Sequence, residues 1–238
     1  MKPHPEQVER FLRSLKRSPT GSVFNPWWQK DPENDIGPAT PRIRRQQLRI
    51  YLGARLGSAR LAVVGEALGY RGGHFTGIAM TSERILLGRS KRVAVSSDLI
   101  LPGFAPQQTS ARTKCPSGFS EPTATIVWAA LLEAGFHPLE FVLWNAFPWH
   151  SFDPRAGLLS NRMPTKREQA AGQSVLKAFL DLFSFRQVIA LGKIAAGQLA
   201  KLKVQANYVR HPASGGARMF RQQVVALFRA SGSDSPRS

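Results

Sequence analysis

Cysteine is almost missing: Cys115 is the only one among 238 residues. One thiol cannot close an intrachain disulfide or hold an iron–sulfur cluster on several thiolates of this chain. The expected setting is therefore the reducing cytoplasm, with nucleoid association if the source is bacterial. Long apolar runs are missing as well. None approaches the ~20 residues of a membrane span, and the opening MKPHPEQVERFLRSLKRS carries acidic residues and no signal-peptide core. A soluble chain with no membrane partner is the expectation. Acidic side chains are scarce, 15 against 33 Lys and Arg, for a formal charge of +18. The basic residues are spread along the chain rather than gathered in a tail. That pattern points to a polyanion, nucleic acid before an anionic membrane surface, with a uniformly Arg-rich composition as the bland alternative. No two His residues share an element at metal-ligand spacing, so no metal is expected.

The most informative stretch is 61–83, LAVVGEALGYRGGHFTGIAMTSE. Leu61 to Val64 read as a short strand apolar on both faces, as a covered parallel strand must be. It runs into a loop with five glycines and one carboxylate, Glu66. Glycines let backbone approach a ligand closely, but the Gly-Lys-Ser/Thr ending of a phosphate loop is absent and the spacing does not fit G-x-G-x-x-G. Glycine content alone leaves a site and a mere turn equally open.

Periodicity places the other elements. Helices are expected over 5–16 (Val8, Leu12, Leu15 inward), 42–56 (Ile43, Leu48, Tyr51, Leu52 inward), 123–134 (capped by Thr123 or Thr125), 165–183 (Thr165 and Glu168 as a capping box), 193–202 and 217–229. Strands are expected over 140–147, 187–191 and 207–211. Between Val23 and Pro41 irregular chain carries Phe24, Trp27 and Trp28, the tryptophans serving as a lid on the core rather than as base-stacking surfaces. Residues 88–122 read as a basic loop insertion whose Arg89, Lys91, Arg92, Arg112 and Lys114 suit phosphates or plain solvation, and 231–238 as a disordered tail.

Strands alternating with helices imply a parallel sheet in a three-layer αβα sandwich, one α/β domain over 1–230 with 1–41 as an N-terminal extension. Ligands of such sheets bind beyond the carboxyl ends of the strands, where Glu66, Asn145 and His211 stand. Singly, each has an ordinary structural explanation. Together they describe a pocket for a pyrimidine: a carboxamide matches the N3–H and O4 edge of uracil, Phe75 offers a face for stacking, and a His donating to O2 steadies the departing base.

The motifs GEALGYRGGHFTGIAMTSE (65–83), LWNAFPWH (143–150) and RHPASGGARMF (210–220) resemble those of the uracil-DNA glycosylase superfamily, in that family's order and over roughly 42–228. The resemblance implies a central four-stranded parallel sheet, excision of uracil from single- or double-stranded DNA by a monomer, initiating base excision repair, and no cofactor. Glu66 falls on the water-activating motif together with Gly65, Ala67, Gly69 and the neighbouring Tyr70. Phe75 falls on the base-stacking position, Asn145 on the uracil-reading residue and His211 on the leaving-group residue. Ser214, Gly215, Arg218 and Met219 lie in or beside the loop that such enzymes push into the duplex. The nearest branch carries a GEAPG motif; Leu68 stands here where it has Pro, and its four cluster cysteines are missing. Ala67 replaces the Asp or Asn of many members, and Tyr70 sits one residue beyond the Tyr that excludes thymine. Hypoxanthine or hydroxymethyluracil as substrate, a non-catalytic uracil-DNA binder and a general basic nucleic-acid module are the other readings.

Overall fold

The computed structural model describes residues 5–232. It opens with α1 (Pro5–Ser14), where Val8, Phe11 and Leu12 share a buried face. A short strand, β1 (Val23–Phe24), interrupts the irregular segment that follows. Trp27 is fully buried there, stacks on Trp144 at 6.2 Å between ring centroids and donates its indole N–H to the Gly77 carbonyl. It is a lid on the core, as its position ahead of the scaffold predicts.

The next helix, α2 (Thr40–Gly53), starts with Pro41 in its first turn and buries Leu48, Tyr51 and Leu52. Ile43, expected on that face, is only half-buried, and Arg44 and Gln47 take inner positions instead. Hydrophobic patterning assigns arginines to solvent because an unpaired buried charge is costly; Arg44 is paired. It forms an ion pair with Asp35 and donates to the carbonyls of Pro26 (3.2 Å) and Phe75 (3.3 Å) and to the Thr109 hydroxyl (3.3 Å). One guanidinium thus ties the N-terminal segment, the glycine loop and the 88–122 stretch to one helix. Arg44→Met is expected to destabilise the protein by about 3–5 kcal/mol, because Asp35 is left buried without its counter-charge. The measurement is the denaturant midpoint at constant m-value, and a shift of under about 1 kcal/mol would refute the hub.

Strand β2 (Leu61–Ala67) leads through the short helices α3 (Gly73–Thr76), α4 (Glu83–Leu86) and α5 (Ser97–Ile100) to α6 (Pro122–Glu133) and β3 (Phe141–Phe147). A two-residue strand β4 (His150–Ser151) pairs antiparallel with β1. Then come α7 (Lys166–Leu180), β5 (Gln187–Leu191), α8 (Lys193–Lys201), β6 (Asn207–Val209) and α9 (Ala217–Gly232). The main sheet has the order β3-β2-β5-β6 with every pairing parallel, the four-stranded sheet expected from the alternation. All seven residues of β3 are buried, so both of its faces are covered.

Several local expectations need correcting. The cap residue of α6 is Glu121, with Pro122 at the first helical position; neither Thr123 nor Thr125 caps, and the Thr125 hydroxyl bonds back to the Glu121 carbonyl instead. The capping box of α7 is present, Thr165 with Glu168. Helix α9 includes Ser231 and Gly232, so the expected tail begins later, and residues 233–238 lie outside the described residues. The 88–122 stretch is not a loose insertion. Val93, Val95, Ile100 and Leu101 join the core, and the buried carboxylate of Glu83 accepts the backbone N–H groups of Thr109 (2.8 Å), Ser110 (3.0 Å) and Phe119 (3.0 Å). A segment whose amides are satisfied by one side chain leaves no periodic trace in sequence.

Candidate active site

The carboxyl ends of the strands open on a cleft of about 340 Å³. Of the residues singled out in the sequence, Gly65, Glu66, Ala67, Gly69, Asn145 and His211 line it; Leu68, Met80, Glu121, Thr123, Ser151, Asn161, Arg162 and Met163 complete the wall.

Asn145 is positioned by register. It lies opposite Gly65 across the β2–β3 ladder, and a Cβ added at Gly65 would stand 2.7 Å from the end of its side chain. Glycine is required at 65 because the amide lies across that backbone. In the amide orientation that satisfies both ends, the Asn145 oxygen accepts the Leu68 N–H (3.3 Å) and its nitrogen donates to the Trp144 carbonyl (3.2 Å). One N–H and one lone pair are left, the complement of a lactam edge.

His211 stands two residues past β6, on the far side of β5 from Asn145. Its Nδ1 accepts the Ala213 N–H at 3.1 Å, so in the neutral ring the proton sits on Nε2. Burial pushes its pKa below the usual histidine value and favours that neutral form. The turn after it is tight: Ser214 and Gly215 have φ of 52° and 76°, and a Cβ at Gly216 would come within 2.1 Å of the His211 carbonyl. Ser214, Gly215 and Arg218 are exposed outside the cleft, as is Met219 at the first turn of α9, where 51% exposure is unusual for so large an apolar side chain.

Glu66, near the end of β2, is half-buried, and burial raises its carboxyl above the ordinary range. Below the cleft the glycine loop is held by His74, whose Nε2 lies 3.0 Å from Asp31 Oδ2 and whose Nδ1 lies 3.0 Å from His150 Nδ1. The expected geometry fails at two positions. Phe75 is fully buried and does not line the cleft; its ring stacks on Phe119 at 4.6 Å and 6°. The one-turn helix α3 turns it inward, and the side chain that reaches the cleft wall beside Gly65 is Met80, at a backbone φ of 47°. Tyr70 is not in the wall either; its backbone N–H holds Asn161 Oδ1 at 3.1 Å, while its ring lies under Arg71.

Among the wall residues that patterning missed, Met80 and Glu121 bear most on the chemistry. Both are far in sequence from a strand end. The one available signal for Met80 was its place at the end of the glycine-rich stretch; Glu121 carried none. Among the described residues no group of three or more His, Cys, Asp or Glu is placed to hold a metal, and no helix there is long and apolar enough to cross a membrane.

A parallel sheet with a carboxamide, an imidazole and carboxylates gathered at the carboxyl ends of its strands has the fold and the cleft of a DNA glycosylase. A family model described as the uracil DNA glycosylase superfamily matches residues 90–233, more than half of the chain, and the chain belongs to that superfamily. Among solved structures, the crystal structure of wild-type SMUG2 from Pedobacter heparinus superposes with a TM-score of 0.60 over 97% of this chain and 98% of that one, at 14% identity. That likeness is one of fold. No curated protein sequence matches this one.

Proposed function

We propose that the protein removes uracil from DNA by hydrolysing the N-glycosidic bond. The observation that carries this reading is the convergence of Glu66, Asn145 and His211, from three separate chain segments, on one cleft. In the proposed complex a flipped deoxyuridine enters the cleft. Asn145 reads O4 and N3–H, Met80 lies against the ring face that Phe75 was expected to cover, and neutral His211 donates to O2. Glu66 orients the water or balances positive charge on the sugar. As the C1′–N1 bond breaks, its electron pair leaves on the base; the water oxygen bonds to C1′ and gives its proton to Glu66.

DNA is the proposed partner in either strand state. Beside the cleft, across the first turn of α6, Arg84, Arg89, Lys91, Arg92 and Arg221 line a groove of about 970 Å³ with Glu133 as its one acid. Three of them come from the 88–122 stretch, whereas Lys114 is engaged with Asn34. In this reading Met219 and Arg218, exposed at the start of α9, fill the space left by the flipped base and offset part of the few kcal/mol of unstacking.

The test is to incubate the protein with oligonucleotides carrying one uracil, hypoxanthine or thymine mismatch and then treat with alkali. Strand scission at uracil is expected, with the thymine substrate intact. A retarded band without scission would make the protein a binder. Asn145→Asp should lower uracil excision by about 10–200-fold or more, because a carboxylate cannot donate to O4, and unchanged excision would remove Asn145 from base reading.

A further inference from the structure

We propose that Glu121 meets the base as a neutral carboxylic acid, donating its O–H to a carbonyl oxygen and so stabilising the negative charge that develops as the base leaves. This deepens, and rests on, the glycosylase reading of the cleft.

Glu121 is at the cap position of α6, where an acidic side chain ordinarily accepts an N–H of the first turn. It makes no such bond. Its Oε2 is buried and has no hydrogen-bond partner in the structure. The carboxyl rests instead on the backbone of the glycine loop: a Cβ at Gly69 would stand 1.8 Å from Oε1, and one at Gly72 would stand 2.0 Å from Oε2. The two glycines form a seat for this carboxyl, and the seat faces the cleft that holds Glu66, Asn145 and His211. A buried polar group left without a protein partner calls for a functional explanation, and it is on the Gly69 side, where Oε1 rests, that this carboxyl borders the cleft.

The charge state follows from the surroundings. The titratable groups in the same wall are Glu66 from β2, His211 from the turn before α9, and Arg162 from the 153–164 loop. Arg162 is committed to both oxygens of Glu168, and Arg71 on the glycine loop lies over Tyr70. The five cations of the basic groove lie across the first turn of α6, on the side of Pro122 and Thr125. Among the described residues no cation pairs with Glu121, and burial raises its pKa to about 7. An ionised Glu121 beside ionised Glu66 would oppose a base departing as an anion, whereas the neutral acid supplies a donor where that charge appears. No proton leaves Glu121 in the step; the water's proton still goes to Glu66.

The experiment is single-turnover excision of uracil from a single-stranded oligonucleotide between about pH 5 and pH 9 by wild type, Glu121→Gln and Glu121→Ala, with thermal unfolding of each at both ends of the range. Wild-type rate is expected to fall about tenfold per pH unit once Glu121 ionises. Glutamine, a permanently neutral donor of the same shape, should abolish that alkaline limb and lose no more than about tenfold at neutral pH, while alanine should lose about 10²-fold on the acid side, where wild-type Glu121 is protonated, and show no alkaline limb. Because the folded state holds this proton more tightly than the unfolded chain, wild-type stability should decline as pH rises from the ordinary carboxyl value of 4.5 to about 7. The Gln variant should lack that decline. An alkaline limb unchanged in Glu121→Gln, or a wild-type rate in Glu121→Ala, overturns the inference and leaves the glycosylase reading standing. No scission by wild type at any pH overturns both.

Discussion

Replacing Glu66 by Gln is expected to slow uracil excision by about 10²–10⁴-fold, the range for losing a positioned general base. The substitution keeps size and hydrogen-bonding shape but removes the lone pair that takes the water's proton and the charge that faces the sugar cation. A base that takes the water's proton must be the carboxylate, and burial raises the Glu66 pKa, so wild-type rate should fall as pH drops through that raised value. The Gln variant should show a low rate without this acid limb. DNA affinity should change little, because phosphate contacts dominate binding. A Gln variant with near-wild-type rate would move water activation to the DNA phosphates. Asp153, the other acid considered from sequence, does not line the cleft, and its carboxyl is hydrogen-bonded to the Arg155 backbone and guanidinium.

His211→Ala is expected to cost about 10²–10³-fold in the chemical step, the loss typical of one preorganised donor to a developing anion. The backbone N–H of Ala213 occupies Nδ1, so the ring enters the reaction with Nε2–H already in place. Its pKa is lowered by burial, so this neutral form persists as pH falls below the ordinary histidine value and His211 should add no acid limb near pH 6.5. Kd for uracil-containing DNA should stay within about twofold at fixed salt. If His211→Ala weakened DNA binding as much as it slowed excision, its role would be to hold the backbone rather than to steady the leaving group. His211→Gln, which restores an N–H donor, should recover part of the lost rate.

How far these residues were legible in sequence depends on the range of the forces that place them. The strand containing Leu61–Val64 and the α7 capping box are short-range features, and the structure has them where pattern and cap chemistry put them. Asn145 and His211 were found because a parallel sheet sends every strand end to one edge. Phe75 was misplaced because a helix of four residues, too short to show a period, turns it onto Phe119 and leaves Met80 facing the cleft. Nothing local marks Arg44 or Glu83 for burial; each is buried because partners distant in the chain satisfy it.

The amino-acid order by itself determined the alternation of strands and helices, the parallel sheet and the superfamily, since all three rest on local periodicity and three spaced motifs. Tertiary structure alone decided which side chains line the cleft. Glu121 reaches the cleft because Gly69 and Gly72 leave room for its carboxyl, and nothing in the residues beside it announces that approach. Wall chemistry depends on distances between segments tens of residues apart, and those are fixed by packing.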